Sequence, residues 1–317
     1  AYICLTSQHR EALSGLIYAT HTRLGLTVLI GEAGTGKTTV LSTLTDLLRG
    51  KQFVIARCNN PTLTREEFFD LLLGELGVEC ASPLKSRQLK ALEEALTRFR
   101  DAGRSAVLIV DEAQRLLPDL LEEIRLLLNL ETPREKLLQI VMAGQPELSD
   151  VLARPELRQL KQRISAIWRL EPLTLEEFRE YLQHRLSRAG LADQKLFPDD
   201  VVGLIYRYTQ GIPRLVNSLC DAALQTGFAL QAPCVTTPIV EEAARDLELS
   251  GEDEVAVNRE SAGGAPANVI PITGAESKSL QTDSQSGTGL EQKMPLESYT
   301  SRQRSLGFLG QLLDRWR

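Results

Sequence analysis

Residues 29–44, LIGEAGTGKTTVLSTL, decide the fold, because a glycine-rich turn here separates an apolar stretch from a helical pattern. From Gly31 the spacing G-x-x-x-x-G-K-T matches a phosphate-binding loop, whose glycines let backbone N–H groups surround phosphate oxygens at a helix N-terminus. In such a loop Lys37 reaches the outer phosphates and Thr38 ligates magnesium. The competing interpretation is an ordinary glycine turn between a strand and a helix.

The residues on either side of the turn favour the phosphate-binding interpretation. Residues 26–30, LTVLI, have the uniformly apolar character of a buried strand, and residues 38–48 carry apolar side chains at helical spacing. The nucleotide-binding residues predicted from this stretch are Gly31, Glu32, Ala33, Gly34, Thr35, Gly36, Lys37, Thr38 and Thr39.

Composition bounds the class of protein to which this loop belongs. A chain of 317 residues with 43% hydrophobic residues can bury a sizeable core. Its net charge of −6 and its 5% aromatic residues do not favour nucleic acid as the main partner. The five scattered cysteines suit reduced thiols, and no apolar run approaches the ~20 residues of a membrane span. We therefore predict a cytoplasmic protein, with peripheral attachment to the inner membrane as the alternative location.

Strands and helices alternate through the first half of the chain. Further strands are predicted at residues 53–58, 106–110, 137–144 and 164–170, with helices between them, including a long one over residues 119–131. Thr64, with Glu67 three positions later, predicts a capping box at the start of one helix. This alternation predicts an α/β fold with a three-layer parallel sheet.

The sequence divides into four segments with distinct patterns. We predict a nucleotide-binding α/β domain at residues 1–171 and, because only helical patterns follow Thr174, a helical lid at 172–250. Residues 251–300 are rich in Gly, Ser and Thr and predict a flexible linker. Residues 301–317, SRQRSLGFLGQLLDRWR, predict a basic amphipathic helix that docks on a partner protein or on the anionic inner membrane.

An acidic pair follows the third predicted strand in VLIVDEAQRL. At this position Asp111 holds magnesium through water, and Glu112 polarises the water that attacks a γ-phosphate. The alternative is that Asp111 and Glu112 are ordinary surface charges. This alternative is less favoured because a phosphate-binding loop lies upstream in the same chain.

Three further residues suit phosphoryl chemistry. Gln145, directly after the fourth strand, is placed to touch the γ-phosphate or the attacking water, or else is a turn residue before Pro146. Arg163, before the fifth strand, and Arg214, at a helix start, offer planar cations for developing phosphoryl charge. The alternative for both arginines is a surface or capping role, and Arg158 is a weaker candidate for the task of Arg163.

Over residues 7–249 the sequence resembles the AAA+ ATPases of the general secretion pathway protein A (GspA) type. The matching segments, in order, are SQHREALSGLIYA, GEAGTGKTT, LIVDEAQRL, MAGQPEL, LRQLKQRI, EPLTLEEFREYLQHRL and GIPRLVN. The resemblance implies a P-loop AAA+ fold with a small all-helical lid, which binds ATP and Mg²⁺. It implies Walker A at residues 31–38 and Walker B at Asp111 and Glu112.

The resemblance also implies finer roles in an assembly that drives a partner complex. Sensor 1 lies near Gln145 and sensor 2 lies at Arg214. Arg163 is an arginine finger through which the chain associates into a homo-oligomer. The segment around Ser7 and His9 lines part of an adenine pocket.

Other functions share parts of these patterns. A transposition-regulator ATPase is the main alternative, because the run RPELRQLKQRISAIWR is basic and suits DNA, although a subunit interface uses the same residues and is favoured. A small-molecule kinase needs an inserted lid that the predicted strands do not show. A nucleotide switch without hydrolysis is disfavoured by Glu112.

Overall fold

The structure is a computed structural model that describes residues 5–50, 52–190 and 196–249. Its centre is a five-stranded sheet in which every neighbouring pair is parallel and the order is β2-β3-β4-β1-β5. The strands are β1 Leu26–Gly31, β2 Phe53–Cys58, β3 Ser105–Val110, β4 Leu138–Gly144 and β5 Ile164–Leu170. The predicted parallel sheet is confirmed, and β4 lies between β1 and β3. The predicted linker at 251–300 and docking helix at 301–317 lie outside the described residues.

Helices cover the sheet and then continue alone. They are α1 Ser7–His21, α2 Lys37–Leu48, α3 Arg65–Glu75, α4 Lys85–Asp101, α5 Pro118–Leu127, α6 Glu147–Ala153, α7 Arg158–Lys161, α8 Leu175–Arg188, α9 Asp199–Thr209, α10 Pro213–Ala229 and α11 Thr237–Asp246. None of the helices within the three described ranges is long and apolar enough to cross a bilayer.

The helix predicted over residues 119–131 is shorter than expected, because α5 ends at Leu127. The chain then turns so that Leu130 O accepts a hydrogen bond from Leu137 N at 2.9 Å, and Glu131 pairs with Lys136 in an antiparallel bridge. A helix continued to residue 131 would remove this pairing, which leads the chain into β4. The short helices α6 and α7 were not predicted.

Two helices begin with the same capping arrangement. At α3, the predicted capping box is present: Thr64 N donates to Glu67 Oε2 at 2.8 Å, and Glu67 N donates to Thr64 Oγ1 at 3.3 Å. Thr174 and Glu177 make the equivalent box at α8, just after the last strand. These boxes satisfy N–H groups that a helix start leaves unpaired, and so fix where each helix begins.

The central strands of the sheet are buried on both faces, which explains why they are continuously apolar. Every residue of β1 and of β4 is buried, as expected for central parallel strands. One face packs with α3, α4 and α5, and the other packs with α1 and α2. The buried residues of the last four helices, from Leu173 to Ala244, form a separate hydrophobic cluster.

Candidate nucleotide site

The loop between β1 and α2 curls around the ammonium group of Lys37. Lys37 is only 5% exposed, and its Nζ donates to Gly31 O at 2.7 Å and to Glu32 O at 2.9 Å. Gly36 has a left-handed φ of 102°, and a Cβ built there would lie 2.6 Å from His9 Nε2. The loop therefore needs glycine at this position, and it already has the backbone form that cradles phosphate.

The charge of Lys37 is balanced by acidic groups. Burial lowers the pKa of Lys37, and the nearby carboxylates of Glu112, Asp111 and Glu32 oppose that shift. A bound phosphate would also favour the charged form of Lys37, and its oxygens could accept the hydrogen bonds that the carbonyls of Gly31 and Glu32 accept here.

Asp111 and Thr38 approach each other across the site. Asp111 follows β3, and its Oδ2 accepts a hydrogen bond from Thr38 Oγ1 at 2.9 Å, while its Oδ1 accepts one from Glu112 N at 2.9 Å. A hydroxyl and a carboxylate beside a phosphate-binding loop are the oxygen donors that suit magnesium. The residues present therefore fit both the nucleotide and the ion.

Glu112 occupies a tight turn at the end of β3. Its φ of 53° is left-handed, and its Oε2 accepts hydrogen bonds from Gln114 Nε2 at 2.6 Å and from Gln145 Nε2 at 3.3 Å. Burial alone would raise the pKa of Glu112, but these hydrogen bonds and the charge of Lys37 lower it below its ordinary value. The carboxylate is held ionised, as a water-polarising group requires.

Gln145 lies directly after β4, as predicted, whereas the sequence did not indicate a role for Gln114. The two share a further hydrogen bond, in which Gln145 N donates to Gln114 Oε1 at 3.1 Å. Gln114 belongs to the same DEAQ run as Asp111 and Glu112. Only the spacing of two positions from Glu112 could have indicated it.

The start of α10 contacts the loop directly. Arg214 N donates to Gly34 O at 3.2 Å, and a Cβ built on Gly34 would lie 2.8 Å from Arg214 Cβ. The Arg214 side chain itself is exposed. Gly211, with a φ of 72°, allows this approach, because a Cβ there would lie 2.1 Å from Leu173 O. The helical region thus presents a cation beside the phosphate-binding loop.

His9 also contacts the phosphate-binding loop. It is 6% exposed, and its Nε2 lies 2.8 Å from Thr35 O, while Nδ1 lies 2.5 Å from Thr6 Oγ1. Burial lowers the pKa of His9, opposed by the Thr35 carbonyl and the charge of Glu177. The neutral ring with Nε2–H as donor therefore fits both contacts. His9 contacts the backbone of the phosphate-binding loop, and its predicted role in an adenine pocket stays a prediction.

The two residues before His9 reach the start of the helical region. Ser7 Oγ donates to Glu177 Oε1 at 3.1 Å, and Glu171 N donates to Gln8 Oε1 at 3.0 Å. Three consecutive residues of α1 therefore contact α8, the segment before it and the phosphate-binding loop.

Arg163 lies at the other end of the sheet. Ile164, the next residue, pairs with Leu26 at the start of β1, whereas the phosphate-binding loop follows Gly31 at the end of that strand. Five strand residues at ~3.3 Å each separate these ends by roughly 16 Å. Arg163 is half-buried. The pKa of Glu131 is lowered mainly by its hydrogen bond to Lys136 and by the charge of Lys136, and the charge of Arg163 lowers it further. The structure does not bring Arg163 to the site of its own chain.

Two comparisons by sequence identify relatives of this chain. Residues 21–152 match the family model described as "AAA domain". General secretion pathway protein A of Aeromonas hydrophila is 40% identical over 229 residues, which are 72% of this chain and 42% of that protein. The chain thus spans less than half the length of this curated relative.

Solved structures share the fold at low sequence identity. The ORC2 protein of Aeropyrum pernix aligns with a TM-score of 0.56 at 14% identity, over 81% of this chain and 72% of that one. Cdc6p of Pyrobaculum aerophilum gives 0.59 at 21% identity, over 81% and 72%. A point variant of RuvB of Thermotoga maritima gives 0.54 at 19% identity, over 80% and 74%. These likenesses show the fold.

Proposed function

The chain belongs to the AAA+ ATPases, and from this premise we propose that several copies assemble with ATP to drive or regulate a partner complex in secretion or export. The observation that carries the catalytic part is the grouping of Lys37, Thr38, Asp111, Glu112 and Gln145 at the carboxyl ends of β1, β3 and β4. Each is a group that phosphoryl transfer to water uses.

The residues divide the work of hydrolysis. Backbone N–H groups of residues 31–38 and the Lys37 ammonium bind the phosphates. Glu112 orients a water and accepts its proton as the oxygen attacks the γ-phosphorus, while the bond to the β–γ bridging oxygen breaks and ADP leaves. The proton passes to the products, inorganic phosphate and ADP. Gln145 donates to Glu112 and so keeps the carboxylate facing this position.

Thr38 and Asp111 would hold a magnesium ion, which when bound neutralises charge on the β- and γ-phosphate oxygens. The 2.9 Å contact between their oxygens supports this assignment. Arg214, beside the loop, would bring the helical region against the nucleotide.

Arg163 would act on the site of a neighbouring copy. Its place at the amino end of β5 separates it from its own phosphate-binding loop, and an arginine supplied in trans makes hydrolysis depend on assembly. A contact that joins two different surface patches of identical chains builds a ring or a filament.

Mixing two inactive variants tests this arrangement. Arg163→Ala lacks the donated cation and Glu112→Gln lacks the base, so a mixed assembly contains some sites with both groups. We expect ATPase activity to reappear on mixing and to rise faster than linearly with protein concentration. Activity strictly proportional to concentration, with no recovery on mixing, would contradict assembly.

The partner is proposed from the relative and from the tail sequence. The name of the Aeromonas hydrophila protein places that protein in general secretion, which supports a secretion or export partner here. Deleting residues 301–317 should leave ATP hydrolysis unchanged and abolish either partner recovery or co-sedimentation with anionic liposomes. DNA is less favoured, because the exposed basic residues Arg154, Arg158 and Lys161 lie beside Arg163 and suit the same subunit interface.

A further inference from the structure

We propose that Gln114 is a positioning residue for ATP hydrolysis, which fixes the carboxylate of Glu112 to the end of β4. This inference rests on the proposed hydrolytic role of Glu112. Gln114 is half-buried in the short 3-10 turn Ala113–Arg115 after β3, and no role follows for it from the nucleotide-binding patterns.

The side chain of Gln114 uses both ends of its amide. Nε2 donates to Glu112 Oε2 at 2.6 Å, and Oε1 accepts from Gln145 N at 3.1 Å. Gln145 Nε2 donates to the same Glu112 oxygen at 3.3 Å. The three residues therefore form a closed ring of hydrogen bonds that joins the turn after β3 to the residue after β4.

The ring requires an amide at position 114. Glutamate would lose the donor and set a second carboxylate against Glu112, and an apolar side chain would lose both bonds. The space is also limited on the β4 side: a Cβ built on Gly144 would lie 2.9 Å from Gln114 Oε1 and 2.8 Å from Leu148 Cδ2. Gly144 thus leaves the room that the Gln114 side chain fills.

The arrangement fixes one oxygen of the Glu112 carboxylate. Both amides bond to Oε2, and within the described residues Oε1 accepts no hydrogen bond, so Oε1 is the oxygen available to a water. The left-handed backbone of Glu112 already limits where its side chain can point. Losing the 2.6 Å bond would let the carboxylate rotate away from the position that the reaction needs.

The test replaces Gln114 with Met, which has nearly the same length and volume but lacks the amide. We expect kcat to fall about 10- to 100-fold, because a general base displaced by about 1 Å loses rate on that order. KM for ATP and affinity for ADP should stay within about 2-fold, since Gln114 makes no hydrogen bond to the phosphate-binding loop in the described part of the chain. Leu117→Ala, on an exposed neighbour in the same segment, is the matched control and should keep wild-type turnover.

A double-mutant cycle separates positioning from general damage. In a Glu112→Gln background, Gln114→Met should lower the single-turnover rate by less than about 2-fold, because the group that it positions is already changed. The same loss of about 10- to 100-fold in both backgrounds would overturn the proposal, as would a loss of ATP affinity that matches the loss of kcat. Gln114→Ala repeats the cycle if the Met variant does not fold.

The outcome for Glu112 distinguishes this inference from the function on which it rests. Full turnover in Glu112→Gln alone would remove the proposed hydrolytic role. A large loss in Glu112→Gln together with wild-type kcat in Gln114→Met would remove only the role of Gln114.

Discussion

The carboxyl and amino ends of the sheet contain different parts of the proposed catalytic apparatus. At the carboxyl ends of β1, β3 and β4, side chains already contact one another within one chain, as Thr38 contacts Asp111 and Gln145 contacts Glu112. At the amino end of β5, Arg163 stands beyond a full strand length from the phosphate-binding loop. Nucleotide binding should therefore be complete in one copy, whereas fast hydrolysis should need two.

The two ends also differ in what their residues contact within one chain. Backbone carbonyls hold Lys37 in the loop, and helix α10 and His9 both contact the same loop. These contacts tie the loop to α1 and α10, and a loop held in its binding shape has a smaller ordering cost on binding. Arg163 lies away from the loop of its own chain, and its effect should depend on protein concentration.

The largest expected effect is at Lys37. Lys37→Ala should abolish ATP binding and reduce turnover to the background rate, because it removes the cation that compensates phosphate charge. Glu112→Gln should keep ATP bound while turnover falls about 10²-fold or more, since it removes only the base. Titration calorimetry with a slowly hydrolysed ATP analogue, beside phosphate-release assays, measures both.

Equal ATP affinity in wild type and in Lys37→Ala would contradict the assignment of the loop. A Glu112→Gln variant that binds no ATP would instead indicate that this residue supports the loop, and the comparison between the two ends of the sheet would lose its basis.

The second effect is at the amino end. Arg163→Ala should lower kcat about 10²-fold or more at concentrations where the protein assembles, with ATP affinity unchanged, because the arginine acts on a neighbouring site. Arg158→Ala, an exposed arginine on α7, is the comparison variant. A larger loss in Arg158→Ala than in Arg163→Ala would transfer the role to α7.

The sequence predicted the sheet well because its central strands are buried on both faces and so are continuously apolar. The grouping of Thr38 and Asp111 was also predictable, because parallel strands end at one edge of the sheet. Gln114 could not be found this way, since its bond to Glu112 depends on the left-handed turn at Glu112. The contact of His9 with Thr35 was likewise hidden, because it joins residues 26 positions apart through helix packing.

A third, smaller effect is expected at Arg214. Arg214→Ala should raise KM for ATP about 10-fold, the worth of one charge-assisted hydrogen bond to phosphate, with stability unchanged because the backbone contact to Gly34 remains. Arg207→Ala, an exposed arginine on α9, is the matched control in steady-state assays. Equal KM values in the two variants would show that α10 contributes to the site through its backbone alone.

The smallest effect concerns His9 and pH. Because burial lowers the pKa of His9 in the folded protein, the unfolded chain binds a proton below about pH 6.5 that the folded chain resists. The free energy of unfolding should therefore fall as pH drops below about 6.5, by at most about 1.4 kcal/mol per pH unit from this residue. His9→Gln keeps a donor for Thr35 O and removes the proton site, so urea unfolding at about pH 5 and about pH 8 should show a weaker pH dependence than wild type. His184→Gln, at an exposed histidine, should retain the wild-type dependence. If His9→Gln keeps the full pH dependence of the free energy of unfolding, the acid sensitivity arises from another residue. That result would contradict the proposal that a neutral His9 supports the phosphate-binding loop.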